Sequence, residues 1–85
     1  MLLDMVKVII AELVDDPEEV DIQMTEGAHT NIIEVRVAYR DIGKVIGKQG
    51  RTAEALRTIV GCASAKYNKK HILEIVDGKE RPINS

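Results

Sequence analysis

The chain has 85 residues, of which 45% are apolar and 31% charged, so it can form one small domain with a hydrophobic core and is too apolar for a disordered protein. Its net charge of −2 conceals a segregation, because residues 1–39 carry −7, residues 40–70 carry +6 and the remainder −1, so the overall acidity does not exclude a polyanionic ligand. A single cysteine excludes a disulfide framework and a cysteine-based zinc site. The apolar residues at the start are interrupted by Asp4 and Glu12, so we expect no signal peptide and no membrane contact. We therefore expect a cytoplasmic protein.

The first half of the chain predicts a helix followed by a hairpin. Apolar residues recur at helical spacing, and Pro17 disfavours helical geometry in the residue before it, so we expect a helix over roughly residues 2–15. Residues 20–25 alternate apolar and polar side chains, as a half-buried strand requires. After a turn at residues 27–31, a second alternation over residues 31–39 predicts the partner strand, with one sheet face in solvent.

The second half predicts two helices joined by a bend, then a strand. Asp41 can cap a short helix that ends at Ile46, and a longer helix follows the bend. Apolar residues of the longer helix step by three and four, which assigns a buried stripe to Ala53, Leu56, Val60, Ala63 and Tyr67. Residues 71–76 form a last strand, which can lie parallel to the second strand through a right-handed crossover.

The predicted order of elements is therefore α-β-β-α-α-β, which is an α+β fold. We expect one domain over residues 1–85, with a folded core over residues 1–79 and a flexible polar tail over residues 80–85. No internal repeat or linker divides this length.

The bend Gly47-Lys48-Gln49-Gly50, with Arg51 opening the long helix, is the most informative segment. Glycine has no Cβ, so the backbone can turn tightly and a ligand can approach the main chain closely. The start of the following helix adds free amides and a positive dipole end beside Lys48 and Arg51, which together suit a phosphate. The segment therefore indicates a clamp for a nucleic-acid backbone.

Two other interpretations of the bend are weaker. A phosphate loop of the nucleotidase type needs four residues between its glycines and a Ser or Thr after its lysine. Here three residues separate Gly43 from Gly47, and Gln49 follows Lys48. An ordinary turn between helices also uses glycine pairs, and it would be the preferred interpretation of an isolated bend. The pattern around this bend favours the nucleic-acid site.

The sequence Val45-Ile46-Gly47-Lys48-Gln49-Gly50-Arg51, set in this order of elements, resembles the Gly-x-x-Gly motif of a type II KH domain. The run over residues 47–60 and the lack of an extra domain are similar to the small bacterial single-KH RNA-binding proteins of the KhpA family. The resemblance implies a type II KH fold, α+β, with a three-stranded mixed sheet and the helices packed on one face. One departure is Ala53, where many KH domains carry a larger aliphatic residue, which implies a shallower groove.

The resemblance also implies a function and a site. The chain would hold about four nucleotides of single-stranded RNA, or less often DNA, in a narrow groove, as an RNA chaperone or post-transcriptional regulator. Carried over by position, the resemblance assigns the loop to Gly47, Lys48, Gln49 and Gly50. It assigns the phosphate contacts beside the loop to Lys44 and Arg51. It assigns part of the apolar groove wall to Ile42, Val45, Ile46 and Ala53. The turn at residues 27–31, with His29, would form the opposite lip. The preference for RNA over DNA rests on the resemblance alone.

The sequence offers little for base stacking or for catalysis. It has no Phe and no Trp, and we assign Tyr39 and Tyr67 to the core, so bases would be held by aliphatic contact. His29 and His71 have no Cys, Asp or Glu at metal or triad spacing, and Cys62 is interpreted as a small helix residue. We therefore expect no enzyme, no catalytic residue, no metal site and no cofactor.

The alternative function is a protein–protein adaptor in which nucleic-acid binding is secondary. Small residues lie on the long helix away from its buried stripe, and they are Thr58, Gly61, Cys62 and Ala65. A glycine in a helix interior costs about 1 kcal/mol relative to alanine, so Gly61 suggests close approach by another chain. We expect a homodimer or a heterodimer with a second KH-containing protein, which the resemblance also implies. The alternative, equally favoured by the sequence, is that Gly61 is a tolerated glycine on the helix surface with no partner chain.

Overall fold

The computed structural model describes residues 1–76, which form three helices and a three-stranded sheet. The helices are α1 (Leu2–Leu13), α2 (Ile42–Ile46) and α3 (Arg51–Tyr67), and the strands are β1 (Asp21–Glu26), β2 (Thr30–Arg36) and β3 (Lys70–Val76). Single 3-10 turns occupy Pro17–Glu19, Tyr39–Asp41 and Lys48–Gly50. The predicted order of helices and strands is confirmed. The end of the predicted core at residues 77–79 and the predicted tail at residues 80–85 lie outside the described residues.

The sheet is mixed, with β2 as its central strand. β2 runs antiparallel to β1 and parallel to β3. Side chains of β2 alternate between buried and half-buried, and the register places Ile33 beside Met24 of β1 and Leu73 of β3. α1 contacts β1, α3 contacts β3, and α2 contacts both of the longer helices. The type II KH arrangement predicted from the sequence therefore holds for the sheet and for the helices that cover it.

All six elements contribute to one hydrophobic core. Its buried members are Leu2, Val6, Ile10, Val14, Ile22, Ile33, Val35, Val37, Ile42, Val45, Ala53, Leu56, Val60, Leu73 and Ile75. Fully burying a Val, Leu or Ile side chain contributes about 1.5–3 kcal/mol, so this shared interior is the main source of stability. Among the described residues 1–76, no helix combines the length and the apolar character that a bilayer crossing requires.

Both tyrosines differ from the sequence prediction, which placed them in the core. Tyr39 is 78% exposed and Tyr67 is 41% exposed. β2 ends at Arg36, and Tyr39 opens a 3-10 turn, so the alternation of the strand no longer governs which way residue 39 faces. Tyr67 is the last residue of α3, beyond the last buried residue of that helix, and its ring packs edge-on against His71 with 5.8 Å between ring centroids. Two aromatic rings are therefore accessible to solvent.

Asp41 has a different role from the predicted helix cap. It precedes α2, but its side chain makes no capping hydrogen bond to that helix. The carboxylate is fully buried and accepts hydrogen bonds from the backbone N–H groups of Asp15 and Asp16, at 3.2 and 3.1 Å. Asp41 therefore ties the segment after α1 to the start of α2, over a sequence separation that no local pattern reveals.

We expect Asp41→Ala to lower the free energy of unfolding by about 2 kcal/mol, because two backbone donors lose their acceptor. Urea denaturation of the variant measures this loss. The control is Asp4→Ala, which removes an 82% exposed carboxylate from α1 and should change the free energy by less than about 0.5 kcal/mol. Equal effects at the two positions would contradict the role assigned to Asp41.

Candidate nucleic-acid interface

The bend between α2 and α3 is built on left-handed backbone. Gly47 has φ 78° and ψ 173°, a combination that is essentially restricted to glycine. Gln49 (φ 55°, ψ 27°) and Gly50 (φ 75°, ψ 10°) follow in the left-handed helical region. Three such residues within four positions reverse the chain sharply, so the backbone of the loop projects from the surface between the helix ends.

This geometry leaves donors at the tip of the loop. The N–H of Gly47 donates to the carbonyl of Gly43 at 2.9 Å, and the N–H of Gly50 donates to the carbonyl of Gly47 at 3.1 Å. The N–H groups of Lys48 and Gln49 have no acceptor anywhere in residues 1–76. Free backbone donors at a helix start can bind the oxygens of an anion.

The cations around the loop fall into two groups. Lys48 and Arg51 are exposed, and within the described part of the chain neither has a carboxylate at ion-pair distance. The guanidinium of Arg51 instead donates to the side-chain oxygen of Gln49 at 3.3 Å. Lys44, a predicted phosphate partner, forms an ion pair with Asp15 at 3.2 Å. Among the cations near the bend within residues 1–76, those without a carboxylate partner therefore lie at its tip and at the start of α3.

An acidic segment, residues 15–19, lies beside the start of α2. Asp16 pairs with Arg40 at 2.9 Å. A hydrogen bond between the Asp16 and Glu18 carboxyl groups raises the pKa of Asp16 and lowers the pKa of Glu18. Desolvation and the charge of Glu18 also raise the pKa of Asp16, whereas the Arg40 guanidinium opposes that rise. The segment is most negative above the raised pKa of Asp16, so the start of α2 is an unfavourable position for an anion there.

The four aliphatic residues that the resemblance assigns to the groove wall are not equally accessible. Ile42, Val45 and Ala53 are buried, and Val45 is completely enclosed. Ile46 is half-buried and packs against the core. Three of the four therefore support the loop from beneath, and Ile46 is the one with surface left for a ligand.

The turn at residues 27–31 lies at the far end of α3 from the loop. The N–H of Lys70 at the start of β3 donates to the carbonyl of His29 at 3.3 Å. Since α3 has 17 residues, its two ends are about 24 Å apart. The turn that was expected to form the opposite lip of the groove is therefore next to the last turn of α3 and does not face the glycine bend.

Sequence reasoning missed the exposed Tyr39, which lies on the chain shortly before α2. A signal for it was present. If a helix begins at Asp41, the preceding strand must end several residues earlier. Tyr39 then lies outside the strand, and the alternation of the strand no longer predicts that its side chain is buried. The predicted dimer contacts behave as expected for a surface, since Thr58, Gly61, Cys62 and Ala65 are all exposed on α3.

The sequence matches the family described as KhpA/KhpB, KH domain, over residues 3–75. It is 49% identical to the RNA-binding protein KhpA of Chlamydia caviae over 76 residues, which cover 89% of this chain and 97% of that protein. It is 47% identical to the protein of the same name from Clostridium perfringens, covering 86% and 97% of the two chains, respectively. For the Borreliella burgdorferi protein of that name, the identity is 41% and the coverages are 88% and 92%. No solved structure gives a significant match.

The family match and the fold agree independently. The matched residues include α2 and α3 and all but one residue each of α1 and β3, and the Gly-x-x-Gly bend stands where α2 meets α3. Because the match extends over most of the chain and the elements follow the type II KH order, this chain belongs to the KhpA/KhpB family of KH domains.

Proposed function

We propose that the chain binds short single-stranded RNA by clamping its phosphate backbone at the Gly47–Gly50 loop. The observation that carries the proposal is the pair of free N–H groups at Lys48 and Gln49, set between two cations that have no carboxylate partner within residues 1–76. Curated relatives at 41–49% identity carry the name RNA-binding protein. The family is a non-enzymatic class, which accords with a binding function.

The proposed contacts divide between backbone and bases. Free amides, Lys48 and Arg51 hold phosphate oxygens, and such contacts carry no sequence information. Ile46 and the surface near it contact bases. A site with few cations binds weakly, weakens further as salt rises, and shows modest sequence preference. Such a protein acts on many RNAs, which fits a cytoplasmic RNA chaperone or post-transcriptional regulator.

Titration with a single-stranded oligonucleotide, followed by amide resonances, tests the clamp. At low ionic strength we expect the largest shifts at residues 47–51, with small shifts in β1 on the other side of the sheet. If the clamp contacts two to three phosphates, raising the salt concentration from 50 to 200 mM should reduce the affinity for RNA about tenfold. Resonances of residues 47–51 that stay unmoved while RNA binds elsewhere would contradict the clamp.

The second candidate function is that of an adaptor which dimerises with itself or with another KH protein. It is favoured by the exposed strip of Thr58, Gly61, Cys62 and Ala65. A Cβ placed on Gly61 would meet no atom within 4 Å, so the strip is open to another chain. Ile59 beside it is 44% exposed and adds apolar surface. Small side chains allow two helices to approach closely, which is the packing expected for such a contact.

We expect Ala65→Glu to convert a dimer into a monomer, because a carboxylate would be buried between the two helices without a partner. Sedimentation velocity measures the change. Ala28→Glu, at an exposed position in the turn between β1 and β2, is the matched control and should leave the dimer intact. A dimer that persists in the Ala65 variant would exclude the strip as the contact.

A further inference from the structure

The 3-10 turn before α2 and α2 itself present one continuous exposed stripe that ends at the glycine loop. We define the α2 stripe by its members, which are the exposed Tyr39, Arg40, Gly43 and Lys44 and the half-buried Gly47. Between them lie Asp41, Ile42 and Val45, which are buried and fix the opposite side of the helix in the core. From Tyr39 to Gly47 the stripe extends roughly 13 Å along the helical axis.

The middle of the stripe is bare backbone. Gly43 is exposed, and a Cβ placed on it would meet no atom within 4 Å. A glycine inside a helix is destabilising by about 1 kcal/mol relative to alanine, so its presence in the five-residue α2 is a cost without a local packing reason. Without a side chain at Gly43, the surface between the Tyr39 ring and the loop is flat, so a planar ligand can lie against it.

Tyr39 is the more exposed of the two tyrosines, at 78% against 41% for Tyr67. An aromatic ring exposed to water at the end of the α2 stripe is a surface on which a nucleobase can stack, since every base has a flat aromatic face. The half-buried Ile46 and the bare Gly43 lie on the chain between this ring and the loop.

Charge decides which part of a nucleic-acid strand reaches Tyr39. The cations of the α2 stripe are already paired, Arg40 with Asp16 and Lys44 with Asp15. These carboxylates and their neighbour Glu18 repel phosphate at the Tyr39 end, whereas Lys48 and Arg51 attract it at the loop end. The strand is therefore oriented with its phosphates at the loop and an uncharged base at Tyr39.

We propose that Tyr39 is a base-stacking platform for the strand that the Gly47–Gly50 loop clamps, so that one nucleobase stacks on its ring at the far end of the α2 stripe. The proposal rests on the function proposed above and adds to it a binding residue and the path that the strand follows along the α2 stripe. The span of roughly 13 Å is no longer than the stretch of about four nucleotides that a KH domain holds. The acidic segment at residues 15–19 then marks the end of the bound strand.

The chain has no Trp and only two tyrosines, so its own fluorescence tests the proposal. Tyr67→Phe leaves Tyr39 as the single fluorophore, and Tyr39→Phe leaves Tyr67, which lies at the far end of α3. Each variant is titrated with a fluorescein-labelled eight-nucleotide single-stranded RNA of mixed sequence, and label anisotropy reports binding independently. We expect RNA to quench Tyr39 emission in the first variant and to leave Tyr67 emission in the second unchanged after correction for absorbance.

A substitution provides the second readout. Tyr39→Leu removes the ring from an exposed position and should weaken RNA binding about fivefold to tenfold, whereas Tyr39→Phe keeps the ring and should retain native affinity. The proposal is overturned if RNA binds by anisotropy while Tyr39 emission stays constant, or if Tyr39→Leu binds as tightly as the native chain. Either result leaves the loop clamp standing. If the native chain gives no anisotropy change, the clamp fails and the platform fails with it.

Discussion

Replacing Lys48 and Gln49 with aspartate should abolish RNA binding, with a loss of affinity of at least about a hundredfold at low salt. The double change removes one positive charge and adds two negative charges at the tip of the loop, beside the two free N–H groups. A phosphate at the proposed clamp would then face two carboxylates in place of the Lys48 ammonium group and the neutral Gln49 amide. Anisotropy of a labelled single-stranded RNA measures the loss.

The fold should survive this double change. Lys48 is exposed, and Gln49 has φ 55° and ψ 27°, a left-handed conformation that aspartate tolerates better than most residues. The matched control is Lys7→Asp with Gln23→Asp, which makes the same two substitutions at exposed positions of α1 and β1 and changes the net charge by the same amount. The control should bind RNA nearly as the native chain does. Retention of RNA by the folded loop variant would remove the loop from the site.

Gly47→Ala should be the most damaging single methyl addition in the loop, and we expect it to lower the free energy of unfolding by about 3 kcal/mol. Two effects combine. The backbone of Gly47, at φ 78° and ψ 173°, lies in a region essentially closed to other residues. A Cβ there would also lie 2.6 Å from Cβ and 2.8 Å from the backbone nitrogen of Thr52, in the first turn of α3.

Gly50→Ala separates these two effects. Gly50 has a similar φ of 75°, but a Cβ on it would meet no atom within 4 Å. Only the left-handed backbone then opposes the substitution, so we expect a loss of about 1–2 kcal/mol. Thermal and urea denaturation of the two variants compare them directly. Equal losses would show that backbone conformation alone governs Gly47 and that its contact with Thr52 contributes nothing.

Much of this architecture follows from local patterns in the sequence. The alternation around Ile22 and Ile33, the helical spacing of Ala53, Leu56 and Val60, and the glycine pair each report a conformation that neighbouring residues determine. The element order and the position of the bend could therefore be predicted, and both are confirmed. The type II KH resemblance followed from that order together with the motif.

The remaining features depend on contacts between residues distant in sequence. Asp41 binds the N–H groups of Asp15 and Asp16, and Lys44 pairs with Asp15, across separations of 25 to 29 positions. No periodicity in the sequence reveals such partners. The sequence therefore predicts Lys44 as an unpaired lysine available to phosphate, and Asp41 as a cap of the helix that follows it. Tyr39 was misplaced for a related reason, because where a strand stops depends on its pairing partner.

The pairing of β2 with β3 has a consequence for how the domain acquires its shape. β1 and β2 are joined by a tight hairpin, whereas β3 reaches β2 only after the chain has passed through residues 37–69. Contacts between distant segments form slowly, because the entropy of loop closure opposes them until the packing is in place. We therefore expect the hairpin to form early and the parallel pairing late in refolding. The Gly47–Gly50 loop lies in the chain between these two strands and therefore takes its final place in this late step. We expect substitutions in the loop to change the folding rate measured by stopped-flow refolding.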